Sequence, residues 1–134
     1  MKIVILGCGR VGATLASQMD RAGHDVTVID NNSDAFQRLD ATFRGEKILG
    51  NGMDSDVLKN ANIESADAFA AVTNGDNRNI MASQIAKEIF HVRKVVCRIY
   101  DPLRQSTYHT IGLETICPTV IGADVISRAL TEER

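Results

Sequence analysis

The stretch Ile3-Val4-Ile5-Leu6-Gly7-Cys8-Gly9-Arg10-Val11-Gly12 decides how the rest of the chain reads. An apolar run stops abruptly at a glycine, and two more glycines follow in the spacing Gly-x-Gly-x-x-Gly. A helix-like segment, Val11–Ala22, comes next, with Val11, Leu15, Met19 and Ala22 on one face. A second predicted strand, Asp25–Ile29, leads to an acid at Asp30, 18 residues after Gly12. Glycines recur in turns everywhere, so the triplet by itself is a weak signal. A strand before it, a helix after it and an acid at the end of the next strand make it a strong one.

The same alternation continues outward from this unit. Cap candidates Asn32 and Ser33 precede a predicted helix over Asp34–Phe43. Lys47–Leu49 reads as a third strand and Asp54–Ala61 as a short helix, with Asp54 or Ser55 at its cap. Ala68–Val72 is a strand apolar throughout, as expected when both faces are covered. Asn77–Phe90 reads as a helix that turns Ile80, Ala82, Ile85, Ala86 and Ile89 inward. Lys94–Ile99 is a fifth strand, Leu103–Ile111 a helix opened by Pro102, Glu114–Cys117 a sixth strand, and Ala123–Glu132 a last helix. Strands joined through helices run parallel with right-handed crossovers. The expected fold is α/β, a Rossmann-like doubly wound parallel six-stranded sheet in the order 3-2-1-4-5-6. No linker or repeat interrupts it, so residues 1–134 read as a single domain.

Each part of the loop has a physical task. Gly7 permits the tight turn out of the strand. Gly9, lacking a side chain, lets phosphates approach the backbone, and Gly12 lets the helix pack closely on the sheet. The helix then presents unpaired N–H groups and positive potential to an anion. Asp30 accepts hydrogen bonds from ribose hydroxyls and repels a 2′-phosphate. Asn31, the neighbouring ligand candidate, and Asn32 and Ser33 after it supply no Arg or Lys to offset that repulsion. The expected ligand is therefore NAD(H) or ATP/ADP, with NADP(H) disfavoured. Arg10 stands at the phosphates, where a guanidinium can pair with phosphate oxygens or point away into solvent. Cys8 is either a small residue tolerated in the loop or a thiol activated by the helix N-terminus.

Ligands of such sheets lie across the carboxyl ends of the strands. After the third strand, Asn51 and Gly52 can contact adenosine, or Asn-Gly can simply make a turn. After the fourth, Thr73 and Asn74 are ligand candidates, while Asp76 or Asn77 can cap the helix that follows. In the fifth, Arg98 is a cation inside an apolar strand and needs a partner, either a phosphate or an acid such as Asp76 or Asp101.

Composition removes other classes. Apolar residues at 44% and charged residues at 24% give a globular balance. A net charge of −2 offers nothing to nucleic acid. Cys8, Cys97 and Cys117 are too few and too scattered for a zinc site, and the latter two read as buried residues. No apolar run is long enough to span a bilayer. His24, His91 and His109 fall in no catalytic constellation, and there is no metal cluster and no Tyr-x-x-x-Lys pair. The residues thus point to binding rather than turnover, with a minimal NAD-dependent oxidoreductase and an assembly scaffold as the alternatives.

The run Gly7–Ala16, the run Gly23-His24-Asp25-Val26-Thr27-Val28-Ile29-Asp30, and Gly50-Asn51-Gly52 with Asp56-Val57-Leu58 and Ala61-Asn62-Ile63 together resemble the KTN domain. So do the run from Ala66 to Asn77 and Arg98-Ile99-Tyr100-Asp101-Pro102. This is the N-terminal RCK (TrkA-N) domain of Trk/Ktr-type potassium-uptake regulatory proteins. The resemblance implies a nucleotide-binding regulatory subunit, not an enzyme, that gates a potassium-transport membrane protein in response to NAD(H) or ATP/ADP. It implies a homodimer through the C-terminal helix, octameric rings, and a cytoplasmic place at the inner face of the cell membrane through the transporter partner. By position, Gly7, Cys8, Gly9, Arg10 and Val11 form the phosphate loop, Asp30 holds the adenosine ribose, Thr73 and Asn74 contact the ligand, and Arg98 reaches the phosphates. Arg10 matches an arginine that contacts terminal phosphates in ATP-responsive members.

Two departures stand out. Pro118 is followed by Thr119-Val120-Ile121 where ATP-responsive members carry a Glu for an intersubunit cation, so no metal site is expected. Gly50-Asn51-Gly52-Met53 replaces the Gly-Asp-Ala-Thr of many members, weakening one adenosine contact. A C-terminal RCK domain, common in the family, is absent from this chain. The last helix carries a wide apolar face of Val120, Ile121, Val125, Ile126, Ala129 and Leu130, more than one covering stripe requires.

Overall fold

A computed structural model describes residues 1–110 and 112–132. Six strands form one parallel sheet in the order 3-2-1-4-5-6, as the alternation predicted. They are β1 (Lys2–Leu6), β2 (Asp25–Asp30), β3 (Glu46–Leu49), β4 (Ala68–Ala71), β5 (Lys94–Arg98) and β6 (Glu114–Ile116). Helices α1 (Arg10–Arg21), α2 (Ser55–Asn60), α3 (Asp76–Gln84), α4 (Pro102–Thr110) and α5 (Pro118–Thr131) connect or follow them. The helix expected over Leu103–Ile111 corresponds to α4, and its last residue, Ile111, lies outside the described residues.

Alternate residues of β1 face opposite layers. Val4 and Leu6 pack with Leu58, Ile63 and Phe69 on one side. Ile3 and Ile5 pack with Ala13, Ala16 and Leu39 on the other. The reversal between β1 and β4, which pair through Ile3↔Ala68 to Leu6↔Ala71, opens a crevice above the carboxyl ends of the central strands.

Four expectations need correction. First, α1 does not bury Val11, Leu15, Met19 and Ala22. It buries Gly12, Ala13, Ala16, Ser17 and Asp20, and leaves Val11 42% exposed. The line of closest approach to the sheet admits only small side chains, so Leu15 and Met19 pack at its margin. Ser17 and Asp20 are buried because they are used: Ser17 Oγ accepts from the Asp40 N–H (3.2 Å) and Asp20 Oδ2 from the Arg44 N–H (3.1 Å).

Second, those two bonds explain why no helix runs over residues 34–43. Only a 3₁₀ turn forms, Ser33–Arg38, after which Leu39 is extended. The amides of Asp40 and Arg44 are claimed by α1, so tertiary contacts override local helical preference. Third, α3 stops at Gln84 and widens into a π turn over Ile85–Ile89, closed by Phe90 N–H to Ile85 C=O (3.2 Å). Ile89, expected inside, comes out 60% exposed. Fourth, the last helix begins at Pro118, not residue 123. Proline's fixed φ suits the first helical turn. No helix among the described residues is long and apolar enough to cross a membrane.

Candidate functional site

The crevice is a cleft of about 520 Å³ at the carboxyl end of the sheet. Gly7, Gly9, Arg10, Val11, Asp30, Asn31, Asn51, Gly52, Thr73, Asn74 and Arg98 line it. All but two of the sequence-derived candidates thus converge. The two that do not, Cys8 and Gly12, stand behind its wall.

Gly7 takes a φ of +108°, open to glycine alone, and an added Cβ would sit 2.9 Å from the Thr73 nitrogen. Gly9 is the N-cap of α1, with no side chain satisfying the first-turn amides, which have no intrahelical acceptor. A Cβ on Gly9 would meet nothing within 4 Å, so this is open space beside free donors. Gly12 is the opposite case: its Cβ would lie 1.8 Å from the Gly7 carbonyl oxygen. It joins helix to loop and touches no ligand space.

Asp30 has a second task. Its Oδ2 accepts from the Cys8 N–H (2.8 Å) and its Oδ1 from the Asn32 N–H (2.9 Å). The carboxylate therefore ties the phosphate loop to the turn after β2, with lone pairs left for ribose hydroxyls. The Cys8 thiol is fully buried, and burial, then the Asp30 charge, pushes its pKa up to about 11. It is the small residue of the two readings, not an activated thiol. Cys97 and Cys117 are buried and free, as expected.

Asn51 makes a turn, its Oδ1 accepting from the Met53 N–H (3.0 Å), and also lines the cleft. Gly52 owes its identity to packing, since its Cβ would fall 2.2 Å from Leu6 Cδ1. Thr73 is held by Asn79, a residue sequence reasoning did not single out. Asn79, fully buried, accepts from the Thr73 N–H (2.9 Å) and hydroxyl (2.6 Å). It donates to the carbonyls of Thr73 and Arg98 (3.0 Å each). One amide thus locks the ends of β4 and β5 together. The Asn79→Ala variant should lose about 2–4 kcal/mol, because at least two buried backbone groups lose their partners. Urea unfolding checks this, and a loss below about 1 kcal/mol would show that Asn79 is dispensable.

Asn74 Oδ1 accepts from Arg78 (2.5 Å). Arg98 makes no ion pair among the described residues: Asp76 instead caps the chain beyond β5, accepting from the N–H groups of Tyr100 (2.8 Å) and Asp101 (3.2 Å). The Arg98 guanidinium lies 4.1 Å over the Tyr100 ring, and its Nε is buried with no partner. Neither Asp76 nor Asn77 caps α3, whose N-cap is Gly75 without a side-chain bond.

Among the lining residues that were not candidates from the sequence are two more cations and an aromatic, Arg38, Arg78 and Tyr100. The 3₁₀ turn brings Arg38 to the Asp30 end of the cleft, where the sequence had shown no cation in residues 31–33. Four guanidiniums, Arg10, Arg38, Arg78 and Arg98, therefore face one carboxylate in the lining. A chain of net charge −2 has concentrated positive charge in a single crevice. Such a lining is chemically suited to a polyanion, with Asp30 free to accept from hydroxyl groups.

Comparison with known proteins identifies the family and matches the fold. The family model of the TrkA-N domain matches residues 3–119. The Trk system potassium uptake protein TrkA of Streptomyces coelicolor is 47% identical over 130 residues, covering 97% of this chain and 58% of that protein. The chain thus spans just over half the length of this relative. The TrkA-N domain of the inner membrane protein ybaL from Escherichia coli superposes with a TM-score of 0.85 at 16% identity, over 98% of this chain and 96% of that one. A structure of GsuK bound to ADP superposes with a TM-score of 0.81 at 21% identity, over 97% of this chain and 34% of that one. With the glycine loop, the acid after β2 and the strand order all in place, the chain belongs to the TrkA-N domain family.

Proposed function

We propose that the cleft holds an adenine nucleotide with at least two phosphates, ADP, ATP or NAD(H), and that the domain is a nucleotide-sensing regulatory part of a potassium-uptake system. The observation that carries this is the set of four guanidiniums around free helix N–H groups, with one carboxylate at the far end. Phosphates take the Arg10, Arg78 and Arg98 end. The ribose takes Asp30. The side chains lining the cleft suit charge and hydroxyl recognition, which favours a sensor over a minimal oxidoreductase. The name of the Streptomyces relative supplies the potassium-uptake context, and the ADP in the GsuK structure supports the ligand class.

In this reading the protein works in the cytoplasm, at the inner face of the membrane through its transporter partner. Assembly proceeds through α5, where Val120, Ile121, Val125, Ile126 and Leu130 all stand exposed, Leu130 at 80%. A second copy of this face covers it in a homodimer, which builds the ring. Ligand shifts the assembly between conformations by binding one better than the other.

Calorimetry against NAD, NADH, NADP, ATP and ADP, with Arg10→Ala as the comparison, tests the reading. ATP and ADP binding that differs through Arg10 identifies a sensor of phosphate charge. NAD(H) preference with little dependence on Arg10 identifies a dinucleotide sensor. Binding of none of the five sinks the proposal.

A further inference from the structure

Beyond the glycine loop, the cleft runs out between the segments that follow β4 and β5. Arg98 closes β5 there, its Nε buried with no partner among the described residues. Arg78 comes from the other segment, exposed in the first turn of α3. Its side chain folds back across Gly75, where an added Cβ would lie 2.8 Å from Arg78 Nε, and its Nη2 donates to Asn74 Oδ1 at 2.5 Å. That acceptor is neutral, so the bond fixes the guanidinium at the rim without cancelling its charge. Among the described residues no ion pair takes it up. The two acids close by are engaged elsewhere and do not line the cleft. Asp76 accepts from the Tyr100 and Asp101 N–H groups, and Asp101 from the Leu103 N–H (3.0 Å).

We propose that Arg78 is a specificity-determining residue: with Arg98 it makes this end of the cleft a subsite for a terminal phosphate, which favours a nucleoside triphosphate over the diphosphate and turns away oxidised NAD. This deepens, and rests on, the reading of the cleft as an adenine-nucleotide site. With the ribose at Asp30 and the next phosphates over the free amides of α1, whatever a ligand carries beyond them lies toward Arg78 and Arg98. In oxidised NAD that group is a nicotinamide riboside, whose ring is a cation. It meets two guanidiniums, and the one carboxylate of the lining stands at the far end. Tyr100 is the only aromatic ring in the lining, and one of its faces is already covered by the Arg98 guanidinium at 4.1 Å. In ATP the same place receives the γ-phosphate. It brings charge of the right sign, oxygens that suit a forked donor, and an acceptor for the buried Arg98 Nε. ADP ends one phosphate short. Attraction and repulsion thus act through one side chain, so Arg78 moves ATP and oxidised NAD in opposite directions. A residue that only braced the loop would move them together.

Calorimetry with ATP, ADP and oxidised NAD, on the parent and two variants, tests the assignment. The parent binds ATP more tightly than ADP, and ADP more tightly than oxidised NAD. Arg78→Ala lowers ATP affinity about tenfold, the low end for a charge-assisted bond because the side chain is exposed. It leaves the affinity for oxidised NAD unchanged or higher. Asn74→Asp separates charge from architecture. It keeps an acceptor oxygen for Arg78, so the loop bond stays, but it pairs the guanidinium with a carboxylate. If Arg78 acts by its charge, Asn74→Asp also cuts the preference for ATP over oxidised NAD by about tenfold. If Arg78 only braces the loop, Asn74→Asp keeps the parent's preference, and the proposal is overturned. No change in Arg78→Ala, or equal losses for all three ligands, overturns it too, as does a parent that prefers oxidised NAD to ATP. Each of these results leaves the adenine-nucleotide reading standing. If none of the three binds, that reading fails first and the assignment of Arg78 fails with it.

Discussion

Gly12→Ala yields no stably folded protein, whereas Gly9→Ala folds like the parent and fails in binding. The two glycines are three residues apart, Gly9 at the N-cap of α1 and Gly12 in its first turn, and their surroundings are opposite. A Cβ at Gly12 would lie 1.8 Å from the Gly7 carbonyl oxygen and 2.8 Å from its carbon, both backbone atoms of the β1–α1 turn. Neither can move without pulling Gly7 off its bond to the Ile29 carbonyl (2.8 Å) and breaking its fit against Thr73. Relief requires α1 to lift from the sheet, and with it the buried contacts of Ala13 and Ala16. The cost belongs to the overpacking class above about 4 kcal/mol, a large part of a domain's total of about 5–15 kcal/mol. At Gly9 the φ of −76° suits any residue and the Cβ meets nothing. Gly9→Ala should change stability by no more than about 1 kcal/mol, and in the favourable direction through the unfolded chain. Its methyl group takes the space beside the first-turn amides, so nucleotide affinity falls at least about tenfold. Thermal unfolding and calorimetry on both variants read the contrast directly. A folded Gly12→Ala with normal melting would show that α1 is not held by this contact.

That contrast also marks where sequence reasoning works and where it stops. The strand order, the loop and Asp30 were legible because backbone geometry dictates residue type: a positive φ at Gly7 and an acid at the end of β2. The helix predicted over residues 34–43 was not excluded by its own residues. It fails because Ser17 and Asp20, on another element, capture the amides of Asp40 and Arg44. The same displaced turn brings Arg38 into the cleft, so one unread pair of tertiary contacts hid both a missing helix and one of the cleft's cations. Asn79 was invisible for a related reason. Its value lies in reaching Thr73 and Arg98 from two neighbouring strands at once, a fact about register rather than local pattern. The reading of α1 erred differently: hydrophobic periodicity selects the large residues, and the close approach demanded by Gly12 selects the small ones.

Asp30→Ala should weaken adenine-nucleotide binding by about 100-fold or more, from loss of charge-assisted bonds to the ribose worth about 1.5–3 kcal/mol each. The carboxylate also holds the Cys8 and Asn32 amides, so a weaker binder alone does not separate recognition from loop shape. Asparagine makes a poor control, because its N–H₂ would face one of those two N–H donors. Two ligands separate the roles instead. Inorganic pyrophosphate reaches only the phosphate end. If Asp30 acts through the ribose, Asp30→Ala leaves pyrophosphate affinity unchanged or raises it, since a negative charge has left the cleft. If the carboxylate only shapes the loop, pyrophosphate and ADP lose affinity together. Comparison of ATP with 2′-deoxy-ATP gives the second arm. The parent should prefer ATP by about tenfold, one charge-assisted hydrogen bond, and the variant should not distinguish them. Removing the carboxylate also leaves Arg38 as the nearest full charge at that end of the cleft. NADP should then gain on NAD in the variant, because a 2′-phosphate meets a guanidinium without the opposing acid. An unchanged NAD-to-NADP ratio would mean that Asp30 does not face the 2′ position, and the assignment of the ribose to that end of the cleft would have to be withdrawn.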